Sequence, residues 1–506
     1  MSNQRLDGDI VNSDILRMLI VPLLREMGTP AYLVGGAVRA QMLGAQQADK
    51  RMASHPTDLD FAVPRDGRRI ARQIADTLGA AFYALDDERD VGRIVLPGPH
   101  GVMSTIDVAR FQGPDLITDL AGRDFTINAM AMDVMVDRSA PIDPYSGKAD
   151  LQARQLRAVT DQSLRKDPVR GLRAVRLGAE LGFEIEPGTQ ALIREAAPGL
   201  AHVSAERIRD ELVKILSLPG VAHSLRQLDE LGLLDHVLPE VAQLQNLEQS
   251  SPHRWDAYEH TLQTVAALEE LLPLGGGLPQ PEVPFPQQVC AHLARLVSGG
   301  HSRRMLLTLA ALLHDLGKPR TAAVEPDGRV RFIDHERVGA DMAAGIMSRL
   351  RFAGEALDLV ETIVRHHLRP LQLAWQGVAS RRAIHRFFRD TGDSGVEIAL
   401  LALADHRATV GPDALAENES RQVLATVRAL CDAFFNYRQQ VVSPAPLLTG
   451  QDLIHGLGLA EGPGVGRLLA ALREAQATGE VGTREQAESW VKQKVSGGKL
   501  GLEDRD

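Results

Sequence analysis

The sequence predicts an α/β domain at its N-terminal end, followed by domains built from helices. Short apolar, strand-like segments at 32–34, 58–63 and 104–110 alternate with a helix-like stretch at 68–78. From about Leu164 onward, apolar residues recur at helical spacing instead. These patterns predict four parts, namely an α/β head (28–160), a helical neck and body (161–250), a further helical domain (253–410) and a helical tail (445–495).

Two stretches rich in proline and glycine interrupt the helical part. Pro187-Gly188 predicts a turn between two helical stretches. Residues 271–286 predict a flexible insertion within the 253–410 domain, which otherwise reads as helical throughout.

Length and composition narrow the class of protein. A chain of 506 residues is too long for one hydrophobic core, and a net charge of −10 disfavours a general nucleic-acid coat protein. Cys290 and Cys431 are the two cysteines, so neither a disulfide framework nor a thiolate zinc site is expected. A polar N-terminus and the lack of a long apolar run predict a cytoplasmic protein without a membrane partner.

A glycine pair follows the first predicted strand. Gly35-Gly36 would let backbone amides approach a triphosphate where a helix begins, and Arg39 would add a charged contact. Taken alone, such a pair is more often a plain turn.

Three aspartates form a candidate catalytic metal site. Asp58 and Asp60 are two residues apart in a predicted strand, so both carboxylates point to the same face. Asp107 lies on another strand-like segment and could supply a third carboxylate. Like charges held together call for a cation, and such a set suits two Mg²⁺ ions that promote nucleotidyl transfer.

Five segments in order carry a family resemblance. They are GGAVR (35–39), DLD (58–60), RDFTINAM (123–130), IDPYSG (142–147) and DPVRGLRAVR (167–176). Over residues 30–215 they resemble the motifs of class II tRNA nucleotidyltransferases and bacterial poly(A) polymerases. The resemblance implies a polymerase-beta-like head that adds C, or C and A, to tRNA 3′ ends from CTP and ATP without a nucleic-acid template.

The resemblance also implies roles for individual residues. Asp58 and Asp60 would be the Mg²⁺ ligands. Asp167 and Arg170 would read the Watson–Crick edge of C or A, since U and G present the wrong donors and acceptors. The remaining contacts to the nucleotide would come from Gly36, Arg39, Arg123 and Arg173.

Three departures from the family pattern bear on which bases are added. Lys166 stands where the family usually has an acidic residue before the template Asp167, and Gly122 replaces the first of two paired arginines. Only residues 111–121 join the Asp107 strand to Arg123, whereas full CCA-adding members carry a longer flexible loop there. This short connection resembles the CC-adding specialists and favours CC addition.

A second set of candidate metal ligands lies in the 253–410 domain. Histidine and carboxylate together suit a divalent transition metal. The stretch ALLHDLGKP (311–319) resembles the HD phosphohydrolase superfamily, which implies hydrolysis of phosphoesters, with Lys318 and Arg369 as candidates for holding the phosphate. The implied ligands are His260, His314, Asp315, His335, His366, His367 and Asp405.

Other functions stay open at this point. A poly(A) polymerase would share the head, a phosphohydrolase could use the HD site as its main activity, and a non-catalytic RNA-binding protein could keep a relic head. Glycine-containing segments of the tail, 450–454 and 462–466, could contact RNA phosphates or simply cap helices. The sequence leaves the oligomeric state open.

Overall fold

The computed structural model describes residues 13–44, 59–97, 103–136, 140–274, 277–377, 379–411 and 418–496. The chain divides into two compact units. Unit 1 comprises residues 1–203 and 231–233, and unit 2 comprises 204–230 and 234–506. No helix within the described ranges is both long and apolar enough to cross a membrane.

Unit 1 contains a mixed sheet, the α/β head that the sequence predicts. Six strands follow one another across it in the order β3-β4-β5-β2-β1-β6, and β2 and β5 are parallel while the other pairs are antiparallel. The elements of the sheet region are α1 (Ser13–Glu26), β1 (Tyr32–Val34), α2 (Gly36–Gly44), β2 (Leu59–Val63), α3 (Gly67–Leu78), β3 (Ala81–Asp86), β4 (Val91–Pro97), β5 (Met103–Arg110), α4 (Leu116–Ala121) and β6 (Ala131–Asp133).

The strands of this sheet follow the apolar pattern of the sequence. In β2, four of the five residues are buried and only Asp60 is partly exposed, so the strand carries one polar side chain in an apolar setting. Helix α3 covers the sheet with a buried face that includes Ile70 and Ile74. Asp90 caps α3 from outside, because its carboxylate accepts hydrogen bonds from the backbone amides of Gly67 (2.9 Å) and Arg68 (3.1 Å).

Helices complete unit 1. The sequence interpretation of Pro187-Gly188 as a turn between helices was wrong, because Pro187 is the first residue of a helix, where its missing N–H costs nothing. Glu186 caps that helix by accepting from the amide of Thr189 at 2.8 Å. The elements are α5 (Gly147–Ala153), β7 (Gln155–Leu156), α6 (Ser163–Lys166), α7 (Val169–Leu181), β8 (Glu184–Ile185) and α8 (Pro187–Ala196).

Unit 2 is built mainly from helices. The expectation that 253–410 is helical apart from one insertion was incomplete, because two short strands, β9 and β10, form a hairpin there. The first elements of the unit are α9 (Ala205–Leu216), α10 (Val221–Glu230), α11 (Leu234–Val237), α12 (Pro239–Ala242), α13 (Ala257–Leu271), α14 (Pro286–Ala294), α15 (Arg303–Leu313), α16 (Lys318–Thr321), β9 (Ala322–Val324) and β10 (Val330–Phe332).

The second half of unit 2 ends in the predicted helical tail. Leu448, Leu453, Leu468, Leu472 and Val491 form a small buried cluster there. The elements are α17 (His335–Arg349), α18 (Gly354–His366), α19 (Arg369–Trp375), α20 (Arg381–Thr391), α21 (Gly395–Val410), α22 (Asn418–Phe435), α23 (Pro463–Thr478) and α24 (Arg484–Ser496).

Helix α21 is the central element of the HD region. It is buried on nearly all sides and packs against α13, α15, α18 and α22. Helices α13 and α15 begin at capped positions, where Asp256 accepts from the amide of Glu259 (2.7 Å) and Ser302 from that of Met305 (3.2 Å). These three helices therefore form a rigid support for the side chains that they direct inward.

Candidate functional site

The carboxylates of Asp60 and Asp107, two predicted catalytic residues, lie side by side on one face of the sheet of unit 1. Asp60 of β2 is the register partner of Asp107 of β5, and parallel neighbours in register place their side chains on the same face. Asp107 is held by Arg93 of β4, with Nε 2.8 Å from Oδ1 and Nη2 2.7 Å from Oδ2. Asp58, the third predicted carboxylate, lies outside the described residues.

The glycine pair lies beside these carboxylates. Gly35 has a φ of +71°, and a Cβ built on it would come within 3.2 Å of both Asp60 Oδ2 and Arg123 Nη1. Gly36 begins helix α2, as the sequence predicts, and its own Cβ position is 3.7 Å from Arg39 Nη2. The structure thus gathers Gly35, Gly36, Arg39, Asp60 and Arg123 at one end of β1 and β2.

A network that sequence reasoning missed connects Arg39 to Arg173. The Arg39 guanidinium donates to the Asn128 side chain, whose amide donates to Asp124 Oδ1 at 3.0 Å. Arg173 Nη1 reaches Asp124 Oδ2 at 3.2 Å. Burial acts to raise the pKa of Asp124, but Arg173 and the hydrogen bonds outweigh it and lower that pKa, so the carboxylate stays charged.

The two proposed base-reading residues lie at the start of α7. Arg170 Nη1 donates to the carbonyl oxygens of Arg123 (3.0 Å) and Ser163 (3.1 Å), and Nη2 donates to that of Gly122 (2.8 Å). Its Nε lies 3.8 Å from Asp167 Oδ2. Three of the five guanidinium N–H groups donate to the backbone, and the other two, of which one is on the Nε atom beside Asp167, make no hydrogen bond with the described residues.

The connection from β5 to Arg123 is short and internally bonded. Phe111 donates its amide to the Val63 carbonyl (2.8 Å), and the amide of Gln112 donates to Asp119 Oδ1 (2.9 Å). Asp115 caps α4, which fills most of the segment, by accepting from the amide of Thr118 at 2.8 Å. Every residue from 111 to 122 is described, and none belongs to a long open loop.

Unit 2 brings six of the seven predicted HD residues together. His260 comes from α13, Asp405 from α21 and His335 from the first turn of α17. His314 and Asp315 directly follow α15, and His367 directly follows α18. Two overlapping sets of three have ligand atoms within 4.8 Å of one another, namely His260, His314 and Asp405, and His314, Asp315 and His367. His335 Nε2 lies 3.4 Å from Asp315 Oδ1.

Backbone carbonyls orient three of these imidazoles. The Nδ1 atoms of His314, His335 and His367 donate to the carbonyl oxygens three residues before each of them, at 2.7–2.8 Å. In the neutral ring each Nε2 is therefore the unprotonated nitrogen. All three are buried without a well-oriented hydrogen bond among the described residues, and those of His314 and His335 lie 3.2 and 3.4 Å from oxygens of Asp315. Burial, followed by the neighbouring histidines, lowers the pKa of His367 to about 3, so that ring is neutral near pH 7.

These orphaned nitrogens provide a test of whether the residues fit a metal ion. Buried polar atoms of a folded protein almost always have a partner, and several that converge without one indicate a missing ligand. Imidazole nitrogen and carboxylate oxygen are the donors that divalent transition metals prefer. The HD residues therefore fit one or two such ions. In unit 1, Asp60 is a ligand type that a hard divalent cation prefers, whereas both oxygens of Asp107 accept from Arg93.

Two predicted residues of this region lie elsewhere. His366 belongs to neither three-residue set, and its electrostatic neighbours are Arg365, Arg369 and Asp390. Arg369, suggested for phosphate, pairs with Asp390 at 3.0 Å instead. Adjacent residues of a helix differ by about 100° in direction, so His366 and His367 do not both face the cluster.

A cleft opens onto the HD cluster. Its volume is about 380 Å³, and Asp315, His335, His367 and Asp405 line it together with Lys318 and His253. Lys318 Nζ lies 2.6 Å from Asp315 Oδ2 and donates to Gln249 Oε1 at 2.5 Å. His253 was not singled out from the sequence, and its ring packs edge-on to that of His260 at a centroid distance of 5.0 Å.

Comparison with protein families identifies three regions of the chain. Residues 31–157 match the poly A polymerase head domain, residues 182–244 match the probable RNA and SrmB-binding site of polymerase A, and residues 257–410 match the HD domain. The predicted order of a polymerase head before an HD domain is confirmed.

Relatives match over almost the whole length. An A-adding tRNA nucleotidyltransferase of Deinococcus radiodurans is 35% identical over 91% of this chain and 94% of its own. A CC-adding tRNA nucleotidyltransferase of Thermus thermophilus is 35% identical over 91% and 93%. A solved CCA-adding enzyme in complex with CTP shares the fold, with a TM-score of 0.62, 19% identity and coverage of 96% of each chain. On this evidence the chain belongs to the tRNA nucleotidyltransferase family, as its motifs predict.

Proposed function

We propose that this enzyme adds CC to the 3′ end of tRNA from CTP, without a nucleic-acid template. The observation that favours CC over CCA is the short, internally bonded segment 111–122, which leaves no long loop between β5 and Arg123. Lys166 and Gly122, which depart from the family pattern at the base-reading site, are consistent with restricted base use. We propose that the reaction takes place in the cytoplasm, where tRNA ends are made.

The predicted site residues of the head each have a role in nucleotide transfer. Divalent-metal dependence goes with this enzyme family, and Mg²⁺ held by Asp58 and Asp60, with Asp107 beside them, would activate the tRNA 3′-hydroxyl and offset charge on the leaving pyrophosphate. Gly36, Arg39 and Arg123 bind the triphosphate and sugar, and Gly35 leaves space for Asp60 and Arg123 to approach each other.

The base is read at the start of α7. Asp167 accepts from the exocyclic amine of cytosine, and the two remaining N–H groups of Arg170 donate to its ring. Because the other three N–H groups hold the backbone at Gly122, Arg123 and Ser163, the reading guanidinium is fixed before the nucleotide arrives. Arg173, held by Asp124, completes the wall of the pocket.

Isosteric variants of two aspartates test the head assignment. Asp60→Asn removes a metal-binding charge, and incorporation from CTP should fall by about a hundredfold or more, because metal-ion stabilisation of the transition state is worth several kcal/mol. Asp66→Asn is the matched control, since the Asp66 side chain is 46% exposed and pairs only with Arg69 among its described ion-pair partners. Near-normal incorporation by Asp60→Asn would refute the assignment.

The HD cluster supports a second activity, metal-dependent hydrolysis of phosphate esters. The observation that favours it is the arrangement of three histidines, His314, His335 and His367, whose rings are oriented by backbone carbonyls. Among the described residues, their Nε2 atoms point toward Asp315 and Asp405 at the base of an open cleft. A bound transition metal would supply a nucleophilic hydroxide there, while Lys318 reaches the same cleft and can hold the reacting phosphate.

Neighbouring histidines give a matched pair for this second activity. His367→Ala should abolish hydrolysis of a 2′,3′-cyclic phosphate or a phosphomonoester with Mn²⁺ or Ni²⁺ supplied, and it should lower the metal content. His366→Ala should leave both unchanged, because the charged neighbours of His366 are Arg365, Arg369 and Asp390 rather than the clustered carboxylates. Equal effects of the two variants would contradict the proposed metal site.

Two rivals for the head remain. An A-adding enzyme, like the Deinococcus radiodurans relative, would add a single residue from ATP, and a poly(A) polymerase would extend an RNA with many residues from ATP alone. A short, CTP-dependent product would exclude both.

A further inference from the structure

One asparagine in unit 1 joins an arginine and an aspartate of opposite charge. Asn128 ends a single helical turn, Thr126–Asn128, shortly before strand β6. Its Oδ1 atom accepts a hydrogen bond from the guanidinium of Arg39 on α2, and its Nδ2 atom donates one to Asp124 Oδ1 at 3.0 Å. The amide therefore lies between a cation and an anion and is bonded to both.

The two partners fix which way this amide points. A guanidinium can only donate hydrogen bonds, and an ionised carboxylate can only accept them. Oδ1 must therefore face Arg39, and Nδ2 must face Asp124. A carboxylate in place of the amide would have no hydrogen to donate to Asp124 and would put a second negative charge beside it. The position therefore requires an amide rather than an acid.

Arg39 depends on this amide for its connection to a negative charge. Within the described part of the chain, the hydrogen bond to Asn128 is the one contact of this kind that the guanidinium makes, and its Nε atom is buried without a partner. Burial lowers the pKa of Arg39, and the negative charges that oppose this effect are those of Glu180 and Asp124. The charge of Asp124 is the one to which Asn128 connects the arginine.

The same carboxylate holds a second arginine of the nucleotide site. Asp124 Oδ2 lies 3.2 Å from Nη1 of Arg173 on α7, while Oδ1 also accepts from the amide of Phe125 at 2.8 Å. Asp124 is only 7% exposed, so water screens these contacts little. Arg39 and Arg173 are thus connected through Asn128 and Asp124, and removal of the amide would break this connection at Arg39.

We propose that Asn128 is a positioning residue of the nucleotide site, which links Arg39 to Asp124 and so holds Arg39 and Arg173 in one arrangement before the nucleotide binds. It acts through the two arginines rather than by touching the nucleotide. Because both long side chains are ordered in advance, less conformational entropy is lost when CTP binds between them. This inference rests on the nucleotide contacts of Arg39 and Arg173 that are proposed above.

Two substitutions of similar size test the directed hydrogen bonds. Asn128→Asp keeps the acceptor for Arg39 but loses the donor to Asp124, and Asn128→Leu loses both. Each should raise KM for CTP about tenfold or more, the range for hydrogen bonds to charged groups, and leave KM for tRNA unchanged. A mere loss of folded enzyme would lower kcat and leave KM for CTP as it is.

A second asparagine of the chain provides the matched control. Asn436 also donates to an aspartate four residues before it, Asp432, at 2.7 Å, but this pair is exposed and lies at the end of α22 in unit 2. Asn436→Asp should therefore keep the wild-type KM for CTP.

A double-mutant cycle tests whether Asn128 acts through Arg39. The loss in kcat/KM for CTP in R39A/N128L should be about tenfold smaller than the product of the losses in R39A and N128L. A raised KM in R39A with losses that simply multiply, or a wild-type KM for CTP in both Asn128 variants, would overturn the positioning role. A wild-type KM in R39A would overturn the proposed nucleotide contact together with it. If the enzyme incorporates ATP instead of CTP, the CC-adding proposal fails, and the same cycle with ATP decides on Asn128.

Discussion

Replacing Glu397 with Gln is expected to destabilise unit 2 by about 3 kcal/mol, because it breaks a buried ion pair while the partner charge stays in place. Glu397 is fully buried on α21, the helix that also carries Asp405. Its Oε1 atom accepts from Arg303 Nε at 2.5 Å and lies 3.0 Å from His292 Nε2. The Arg303 side chain is only 10% exposed, so water cannot replace the lost carboxylate charge.

The magnitude follows from this geometry. Removing one partner of a buried pair costs about 3–5 kcal/mol, and the lower value applies because Gln keeps an oxygen that accepts the hydrogen bond. Glu361→Gln is the control, since Glu361 and Arg365 form an i,i+4 pair whose side chains are about one-third exposed. Such a pair is worth less than about 1 kcal/mol.

The pH dependence gives an independent check. Burial acts to raise the pKa of Glu397, but hydrogen bonds from His292 and Arg303 outweigh it and lower that pKa in the folded state. The stabilisation is therefore complete above the unfolded pKa of about 4.3, and it is lost as the pH falls through the folded value. The difference in stability between wild type and Glu397→Gln should shrink below about pH 4.

Urea unfolding followed by tryptophan fluorescence measures these effects, because all three tryptophans of the chain, Trp255, Trp375 and Trp490, belong to unit 2. The midpoint should fall in Glu397→Gln with little change in slope, and much less in Glu361→Gln. Equal shifts in the two variants, or a difference that does not depend on pH, would refute the reasoning.

The other predictions concern the two sites. Gly35→Ala should slow incorporation from CTP about tenfold or more, since a methyl group at φ +71° is strained and would lie 3.2 Å from the Asp60 carboxylate; single-turnover rates check this. Gly317→Ala should abolish HD metal uptake but spare nucleotide transfer, because its Cβ would collide with the His335 carbonyl oxygen; metal analysis of the purified protein checks it. Arg170→Lys should raise misincorporation of U over C, since lysine lacks the fork that binds backbone and base together; competition between UTP and CTP measures it.

Much of the fold could be predicted because the chain shows strong local signals. Strand β2 and helix α3 follow directly from apolar spacing, and the ordered motifs indicate the polymerase head. Strands β9 and β10 escaped prediction because each has only three residues: β9 is exposed throughout, and the alternation in β10 is too short to stand out. Pro187-Gly188 was misinterpreted because the same pair can begin a helix or form a turn.

The sequence predicted which residues belong to the candidate site, but it did not predict the residues with which they form ion pairs. Arg93 pairs with Asp107 across a strand pairing, and Asp124 joins Arg173 over 49 residues of sequence. Such partners depend on the tertiary fold, which no local spacing reveals. Asp124 stands inside the recognised motif RDFTINAM, so its charge next to Arg123 was a signal that could have been used.

The most direct test of the central proposal is the length of the product on tRNA at single-nucleotide resolution. Three forms of one tRNA, ending before CCA, after C and after CC, are incubated with CTP and ATP separately and together. We predict that CTP adds two residues to the first form and one to the second, and that ATP adds nothing to any of them. A terminal A on the third form would contradict the assignment as a CC-adding enzyme and the inference drawn from segment 111–122.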